Sequence, residues 1–263
     1  MLQFEKGFLT PDWPAPAGVR AVCTTRLGGV SAAPYDSLNL GDHVGDTPAC
    51  VAANRAILQE TIGARPVFLN QVHGTEVVPL EATSPDGMAA DACVTDAQGL
   101  ACTVMVADCL PVLFTRAQGQ AVAAAHAGWR GLAGQGGVGI LEATHQQLLA
   151  LAQNGSRQEN SAIMAWLGPC IGPTLFEVGE EVRAAFTQGD AQAAHCFKPL
   201  ASGKWLADLA ALARLRLRAM GISQMYGNDS SAAWCTVGNA SRFFSYRRDG
   251  ITGRFCASIW RDA

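Results

Sequence analysis

Three apolar segments of the chain each lead into a histidine or a cysteine. They cover residues 67–73, 103–109 and 121–126, and they end in His73, Cys109 and His126. Apolar runs of this length, bounded by glycine or proline, are typical of buried strands, and α/β proteins commonly place their chemistry where such strands end. If the three ends converge, they bring two imidazoles and one thiol to a single point.

This combination of side chains is typical of a metal site. Two histidines and a cysteine supply three ligands and leave a fourth position open, which suits a catalytic zinc better than a structural one. We therefore predict that His73, Cys109 and His126 are both metal ligands and catalytic residues. The remaining histidines are expected to be ordinary polar side chains. Cys170, in a Gly-Pro-Cys-Ile-Gly-Pro turn, is a rival nucleophile.

Charge and cysteine usage exclude several classes of protein. The 19 basic and 22 acidic residues form no basic cluster, so nucleic acid is not an expected partner. The first residues lack the pattern of a signal peptide, and no apolar stretch is long enough to span a bilayer. The nine cysteines are scattered without a C-x-x-C pair, which favours free thiols in a reducing compartment. A cytoplasmic protein without a membrane partner is expected.

The order of predicted elements favours the α+β class. Thr47 and Pro48 are typical of a helix start and Gly63 of a helix end, so a helix is predicted between them. Strands separated by single helices and by short hairpins indicate mixed β-sheets layered with helices, in a single domain over residues 1–263 with the metal site at strand ends. The polar residues 153–161 are predicted to be a surface loop. Other helices are predicted at 140–151, 179–186 and 208–220, and strands at 19–24, 67–69, 76–79, 92–95, 102–106, 112–115, 121–126, 163–167, 242–247 and 255–260.

Several arginines lie in predicted loops next to strands. Such residues are either solvated surface charges or clamps for an anion, because a guanidinium donates paired hydrogen bonds to phosphate or carboxylate. Both interpretations are open for the four arginines concerned, Arg26, Arg130, Arg247 and Arg248.

Short motifs spread over nearly the whole chain resemble those of the YfiH, or laccase-domain, family. They include Asn70-Gln71-Val72-His73-Gly74, Asp91-Ala92, Val106-Ala107-Asp108-Cys109-Leu110-Pro111-Val112 and His126-Ala127-Gly128-Trp129-Arg130-Gly131. The other motifs are Thr24-Thr25-Arg26-Leu27-Gly28-Gly29-Val30-Ser31, Ser37-Leu38-Asn39-Leu40-Gly41, Gly168-Pro169-Cys170-Ile171-Gly172 and Phe244-Ser245-Tyr246-Arg247-Arg248-Asp249-Gly250.

The resemblance implies a bacterial single-domain enzyme with Zn²⁺ held by the matching His73, Cys109 and His126. It also implies phosphorolysis of adenosine, inosine, guanosine and methylthioadenosine, with adenosine deamination beside it. Purine nucleoside and phosphate are then the small-molecule partners, and we expect a monomer or weak homo-oligomer. Within the motifs, the expected substrate-binding residues are Arg26, Asn39, Gln71, Asp108, Arg130 and Arg248. Arg26 is the first candidate for phosphate, because it stands in a glycine-rich loop directly after a strand.

Three other functions compete with this interpretation. A copper polyphenol oxidase needs many histidines, largely in His-x-His pairs, but the chain has five and no such pair. An adventitious Cu²⁺ could still bind at the predicted site, since copper outbinds zinc at most nitrogen and sulfur sites. A cysteine hydrolase would use Cys109 as nucleophile and His126 as base, for example to remove an amino acid from a UDP-sugar precursor of peptidoglycan. A non-catalytic binding protein is disfavoured, because it would have no use for an open metal triad.

Overall fold

Two six-stranded sheets form the centre of the fold. The protein is described here from a computed structural model, which covers residues 4–5, 7–151 and 163–263. The first sheet contains, in spatial order, β1 (Phe4–Glu5), β2 (Phe8–Leu9), β3 (Val19–Thr24), β15 (Phe255–Arg261), β7 (Leu100–Val106) and β4 (Arg65–Phe68). The second contains β14 (Gln224–Gly227), β10 (Ile163–Leu167), β8 (Leu110–Arg116), β9 (Val122–Ala127), β6 (Ala92–Thr95) and β5 (Val77–Pro79).

Helices cover the outer faces of the two sheets. The longest, α1 (Pro48–Ile62), packs on the first sheet, where Leu58 lies in one buried cluster with Phe68 and Trp260. The second sheet is covered by α3 (Ile140–Leu151) and α5 (Leu209–Ala219). The smaller elements are α2 (Trp129–Ala133), α4 (Glu180–Thr187), α6 (Tyr246–Asp249) and a three-stranded sheet of β11 (Glu177–Val178), β13 (Trp205–Ala207) and β12 (Phe197–Pro199).

Strand β9 contributes side chains to two separate apolar cores. Val122 and Ala124 point into the core between the sheets, whereas Ala123 and Ala125 join the core beneath the helices. Successive side chains of a strand alternate between the faces of a sheet, and here both faces are buried, so the strand is apolar throughout. The layered arrangement confirms the predicted α+β class with mixed sheets and helices.

The chain passes twice from the first sheet to the second at the same end of the fold. Strands β4 and β7 are parallel neighbours, with Val67 opposite Cys102, so their C-terminal ends lie side by side. The chain then continues from β4 to β5 and from β7 to β8, which belong to the second sheet. These two crossings contain His73 and Cys109. Because β8 is antiparallel to β9, the start of β8 in turn lies beside the end of β9.

The predicted helices and most predicted strands are present, with ends shifted by up to two residues at most boundaries. The helix from Pro48 to Ile62 ends at Gly63, as predicted, and Gly63 adopts the left-handed conformation. Residues 242–247 were expected to form a strand, and that prediction is wrong. The side chain of Ser245 accepts the backbone N–H of Arg248 and caps a short helix instead. The predicted loop 153–161 lies outside the described residues.

All nine cysteines are free thiols, in agreement with the absence of a disulfide framework. None of the helices in the described part of the chain combines the length and apolarity needed to cross a bilayer.

Candidate functional site

The structure brings His73, Cys109 and His126 together. Their potential ligand atoms all lie within 4.8 Å of one another, and Cys109 Sγ is 3.8 Å from His73 Nε2. Around a tetrahedral zinc with bonds of about 2.0–2.3 Å, neighbouring ligand atoms lie about 3.3–3.8 Å apart. The Cys109–His73 separation lies at the upper end of this range, and the donor set of two imidazoles and one thiol suits such an ion with an open fourth position once the atoms that lie up to 4.8 Å apart close slightly around it.

Asp91 connects the two histidines of this site. Its fully buried carboxylate accepts a hydrogen bond from Nδ1 of His126 at 2.8 Å. It also accepts the backbone N–H groups of His73 at 2.9 Å and Gly74 at 2.6 Å. A carboxylate bound to Nδ1 fixes the orientation of an imidazole and leaves Nε2 for the metal. One side chain therefore positions two of the three predicted ligands.

The backbone near the ligands adopts conformations that non-glycine residues rarely use. His73 has φ 61° and Asp108 has φ 97°. Such positive φ values outside glycine cost energy and are frequent at functional sites. The neighbouring Gly128 has no room for a side chain, because a Cβ there would lie 2.9 Å from His73 Cδ2 and 3.1 Å from Cys109 Sγ. The glycine of the His-Ala-Gly-Trp motif thus permits the His73 and Cys109 side chains to approach β9 closely.

In the metal-free protein, the thiol and the buried imidazole stabilise each other's charged forms. Burial alone would raise the pKa of Cys109, but its Coulombic attraction to His126 and hydrogen bonds with both histidines lower it to about 6. Burial alone would likewise lower the pKa of His126, but Cys109 and Asp91 raise it to about 9. The site therefore favours a thiolate, which is both the metal-binding and the nucleophilic form of cysteine.

The three side chains open into a cavity of about 520 Å³. This volume lies in the range of pockets that bind small molecules. Its wall combines aromatic rings with cationic groups, namely Trp129, Phe176 and Tyr246 with Arg130, Arg247 and Arg254. The cavity thus offers flat apolar surfaces and a positive field beside the metal-binding atoms.

Three of the predicted substrate-binding residues line this cavity. Gln71 exchanges two hydrogen bonds with the backbone of Met105, at 2.8 and 2.7 Å, so its amide is occupied by the fold. Asp108 accepts the hydroxyl of Thr236 and the backbone N–H of Arg247, both at 2.6 Å. Arg130 is exposed, and its guanidinium lies 4.4 Å from the centre of the Trp129 ring.

The other three predicted substrate-binding residues do not line the cavity. Arg26 donates to the carbonyls of Asp36 and Ala240 and pairs with the Asp36 carboxylate. Arg248 is bound to Asp249 and to backbone carbonyls, including that of Phe243. Asn39 is fully buried. These placements favour a role in holding loops together over direct contact with substrate.

Sequence reasoning gave no individual role to two residues that shape the site. Asp91 stood in a recognised motif, but only the sheet register shows that its backbone and side chain both contact His126. Arg254 lies directly before a predicted strand, which is the same pattern that identified the other polar candidates. The sequence therefore contained the pattern that would have added Arg254 to the candidate residues.

Comparison with known proteins places this geometry in a family. Residues 20–262 match the family model described as multi-copper polyphenol oxidoreductase laccase. A protein of Pseudomonas aeruginosa named as a purine nucleoside phosphorylase is 50% identical over 254 residues, which represent 96% of this chain and 98% of that protein. The Escherichia coli protein named purine nucleoside phosphorylase YfiH is 48% identical, with the same coverage. A Neisseria meningitidis crystal structure, 49% identical, superimposes with a TM-score of 0.86 and covers 98% of this chain and 100% of that one.

Proposed function

Because the chain belongs to the laccase-domain (YfiH) family, we propose that it is a zinc-dependent purine nucleoside phosphorylase that also deaminates adenosine. The proposed nucleoside substrates are adenosine, inosine, guanosine and methylthioadenosine. The observation that carries the proposal is the opening of the metal-capable cluster His73, Cys109 and His126 into a cavity with aromatic and cationic walls. The relatives' names, purine nucleoside phosphorylase, support the phosphorolysis part of the proposal.

Phosphorolysis requires an anion pocket and a surface for the base. A phosphate oxygen forms a bond to C1′ of the sugar, the C1′–N bond breaks, and the purine leaves with the bonding electrons and takes up a proton. Aromatic rings such as Trp129 and Tyr246 offer surfaces against which a purine can stack. Arginines in the cavity wall offer charge-assisted hydrogen bonds to phosphate. Among the arginines predicted from sequence to bind substrate, Arg130 meets this requirement of position.

Deamination requires an activated water molecule. Zinc, when bound, supplies a Lewis acid and lowers the pKa of a coordinated water to about 7. The residues of this chain hold the imidazoles and the thiolate in place: Asp91 fixes His126 and the His73 backbone, and the crossing from β7 to β8 presents Cys109.

A substrate assay with and without phosphate tests the proposal. Mass spectrometry should detect free base and sugar 1-phosphate from inosine only when phosphate is present, whereas adenosine should yield inosine in either condition. The Cys109→Ala variant should lose bound zinc and both activities. Cys170→Ala is the matched control, because Cys170 is buried outside the cavity lining. Release of base at the same rate without phosphate would contradict phosphorolysis.

A cysteine amidohydrolase acting on a peptidoglycan precursor is the second candidate. It is favoured by one arrangement: the Cys109 thiol and the His126 imidazole lie within 4.8 Å of each other. This proximity helps to lower the pKa of Cys109 to about 6 and to raise that of His126 to about 9, which is the charge state of an activated nucleophile and its base. Chelation separates the candidates. A zinc enzyme should lose activity with a strong chelator and regain it with added zinc, whereas a cysteine hydrolase should keep its activity on the UDP-sugar substrate after the metal is removed.

A copper polyphenol oxidase is the least favoured candidate. Within the described ranges, one cluster of metal-capable side chains is present, and it contains two histidines. A trinuclear copper centre with a separate blue site needs many more imidazoles. Copper-loaded protein should therefore show no blue-copper absorption. Oxygen consumption with a phenolic substrate, in proportion to bound copper, would support the oxidase instead.

A further inference from the structure

The loop before helix α1 holds Arg254, an arginine of the cavity wall. Oδ1 of the buried Asn39 accepts the backbone N–H of Arg254 at 2.8 Å and that of Gly41 at 3.0 Å. The backbone N–H of Leu40 donates to the carbonyl of Arg254 at 3.0 Å. Both backbone groups of Arg254 are therefore bound by the Asn39-Leu40-Gly41 segment.

This segment also fixes the direction of the Arg254 side chain. A Cβ on Gly41 would lie 2.8 Å from Cγ of Arg254 and 3.2 Å from its Cβ, so the stem passes where any other residue would carry a side chain. Asn54 of helix α1 donates to the carbonyl of Asn39 at 2.8 Å and so anchors the segment to the first layer of the fold. Asn39 thus binds the backbone of Arg254, and Gly41 leaves room for the stem of its side chain.

The guanidinium of Arg254 is only partly satisfied by the protein. Nη1 donates to the carbonyls of Thr252 at 3.0 Å and Gly253 at 3.1 Å. In the part of the chain that the structure describes, no group accepts a hydrogen bond from Nε or Nη2. The guanidinium lies 5.9 Å from the centre of the Tyr246 ring, on the wall of the cavity that contains Cys109.

The other arginines of the cavity are less constrained. Arg130 and Arg247 are exposed, whereas Arg254 is partly buried. Arg130 rests on Trp129, and Arg247 donates to the carbonyl of Glu177 at 3.1 Å. A cation that is already fixed in place loses less conformational entropy when it binds an anion, so preorganisation favours Arg254 as the ligand-binding group.

We propose that Arg254 binds the phosphate co-substrate through Nε and Nη2, and that Asn39 and Gly41 position it for this contact. The inference rests on the proposed phosphorolysis. An edge-on guanidinium offers two parallel N–H groups to two phosphate oxygens, which a lysine cannot match. It also gives the Ser-Leu-Asn-Leu-Gly motif a function: Asn39 acts on substrate through Arg254.

Steady-state kinetics of the zinc-loaded protein test this assignment. Arg254→Gln should raise KM for phosphate about ten- to a hundred-fold, because a charged hydrogen bond is lost, while KM for inosine changes little. Arg254→Lys should restore part of the phosphate affinity. Gly41→Ala should also raise KM for phosphate, although Gly41 does not line the cavity. The control is Arg20→Gln, whose exposed guanidinium pairs with Asp262 outside the cavity.

Stabilisation by inorganic phosphate gives a second readout that does not depend on turnover. Phosphate alone should raise the melting temperature of the wild-type protein and of Arg20→Gln, and should not raise that of Arg254→Gln. If the wild-type protein phosphorolyses nucleosides but Arg254→Gln keeps its KM for phosphate, the assignment of Arg254 is wrong and the proposed function stands. If the wild-type protein neither binds phosphate nor uses it, both are wrong. An equal rise of KM for inosine in Arg254→Gln would assign Arg254 to the nucleoside instead.

Discussion

The carboxylate of Asp91 lies 2.8 Å from Nδ1 of His126, with both side chains buried against the second sheet. Burial alone would raise the pKa of Asp91, but the hydrogen bonds from His126 and from the backbone of Gly74 and His73 lower it below its ordinary value. The carboxylate is therefore charged at neutral pH and accepts the Nδ1 proton. This directs Nε2 of His126 toward the candidate metal centre.

Replacement of Asp91 by asparagine should weaken metal binding by about ten- to a hundred-fold, as is typical when the outer partner of a ligand is lost. The amide would point a donor at one of the N–H groups that the carboxylate now accepts. Competition with a chromophoric chelator measures the affinity. Asp96→Asn is the matched control, because Asp96 is exposed. Unchanged zinc affinity in Asp91→Asn would show that the ligands are positioned without it.

Cys109 should react with iodoacetamide at unusually low pH in metal-free protein. Its pKa is lowered to about 6, so the reactive thiolate forms as the pH rises through about 6 and persists above it. Cys196 is an internal control, since burial and nearby Asp208 raise its pKa to about 11. Peptide mass spectrometry reports both rates in one sample. Modification of Cys109 that begins only near pH 8–9, as for an ordinary thiol, would refute the charge pairing with His126.

Gly128→Ala should impair zinc binding while the fold is retained. The added methyl group would press on His73 and on the sulfur of Cys109, and so displace two of the three ligands. Gly189→Ala provides the comparison, because a Cβ at Gly189 meets nothing within 4 Å. Zinc content after gel filtration, together with circular dichroism, measures both properties. Full zinc occupancy in Gly128→Ala would mean that the ligands can move apart without loss of the site.

Arg26→Ala should reduce the free energy of unfolding, and its effect on KM for phosphate should be the smaller of the two. The guanidinium ties Asp36 and Ala240 to its own loop and lies 4.9 Å from the centre of the Phe244 ring. Loss of these contacts should cost roughly 1.5–3 kcal/mol of the free energy of unfolding. Thermal denaturation compared with Arg20→Ala tests the magnitude. A large rise in KM for phosphate without loss of stability would restore Arg26 as the anion clamp.

The sequence predicted the convergence of the ligands because polar side chains with a chemical role commonly lie where buried strands end. His73 and Cys109 both follow apolar strands, and those strands prove to be parallel neighbours whose ends coincide. The pairing itself is not readable from local pattern. Helix α1 was predictable to the residue because Pro48 and Gly63 mark its two ends.

The sequence left the roles of the arginines open for a different reason. A guanidinium in a loop can reach a cavity or fold back onto carbonyl groups, and local sequence does not distinguish the two outcomes. Arg248 folds back onto Asp249, whereas Arg254 is held at the cavity by Asn39, 215 residues away along the chain. The short helix at Tyr246 was missed because the capping hydrogen bond of Ser245 outweighs the strand-like pattern around it.

The two connections between the sheets have a consequence for the stability of the protein in the cell. His73 and Cys109 lie on the two connections that join the sheets, and His126 lies on the second sheet. An ion held by all three would cross-link the two sheets. Because a ligand that binds only the folded state stabilises it by mass action, metal supply would set the amount of folded protein as well as its activity. A cell depleted of the metal would then clear the apoprotein faster than the loaded form.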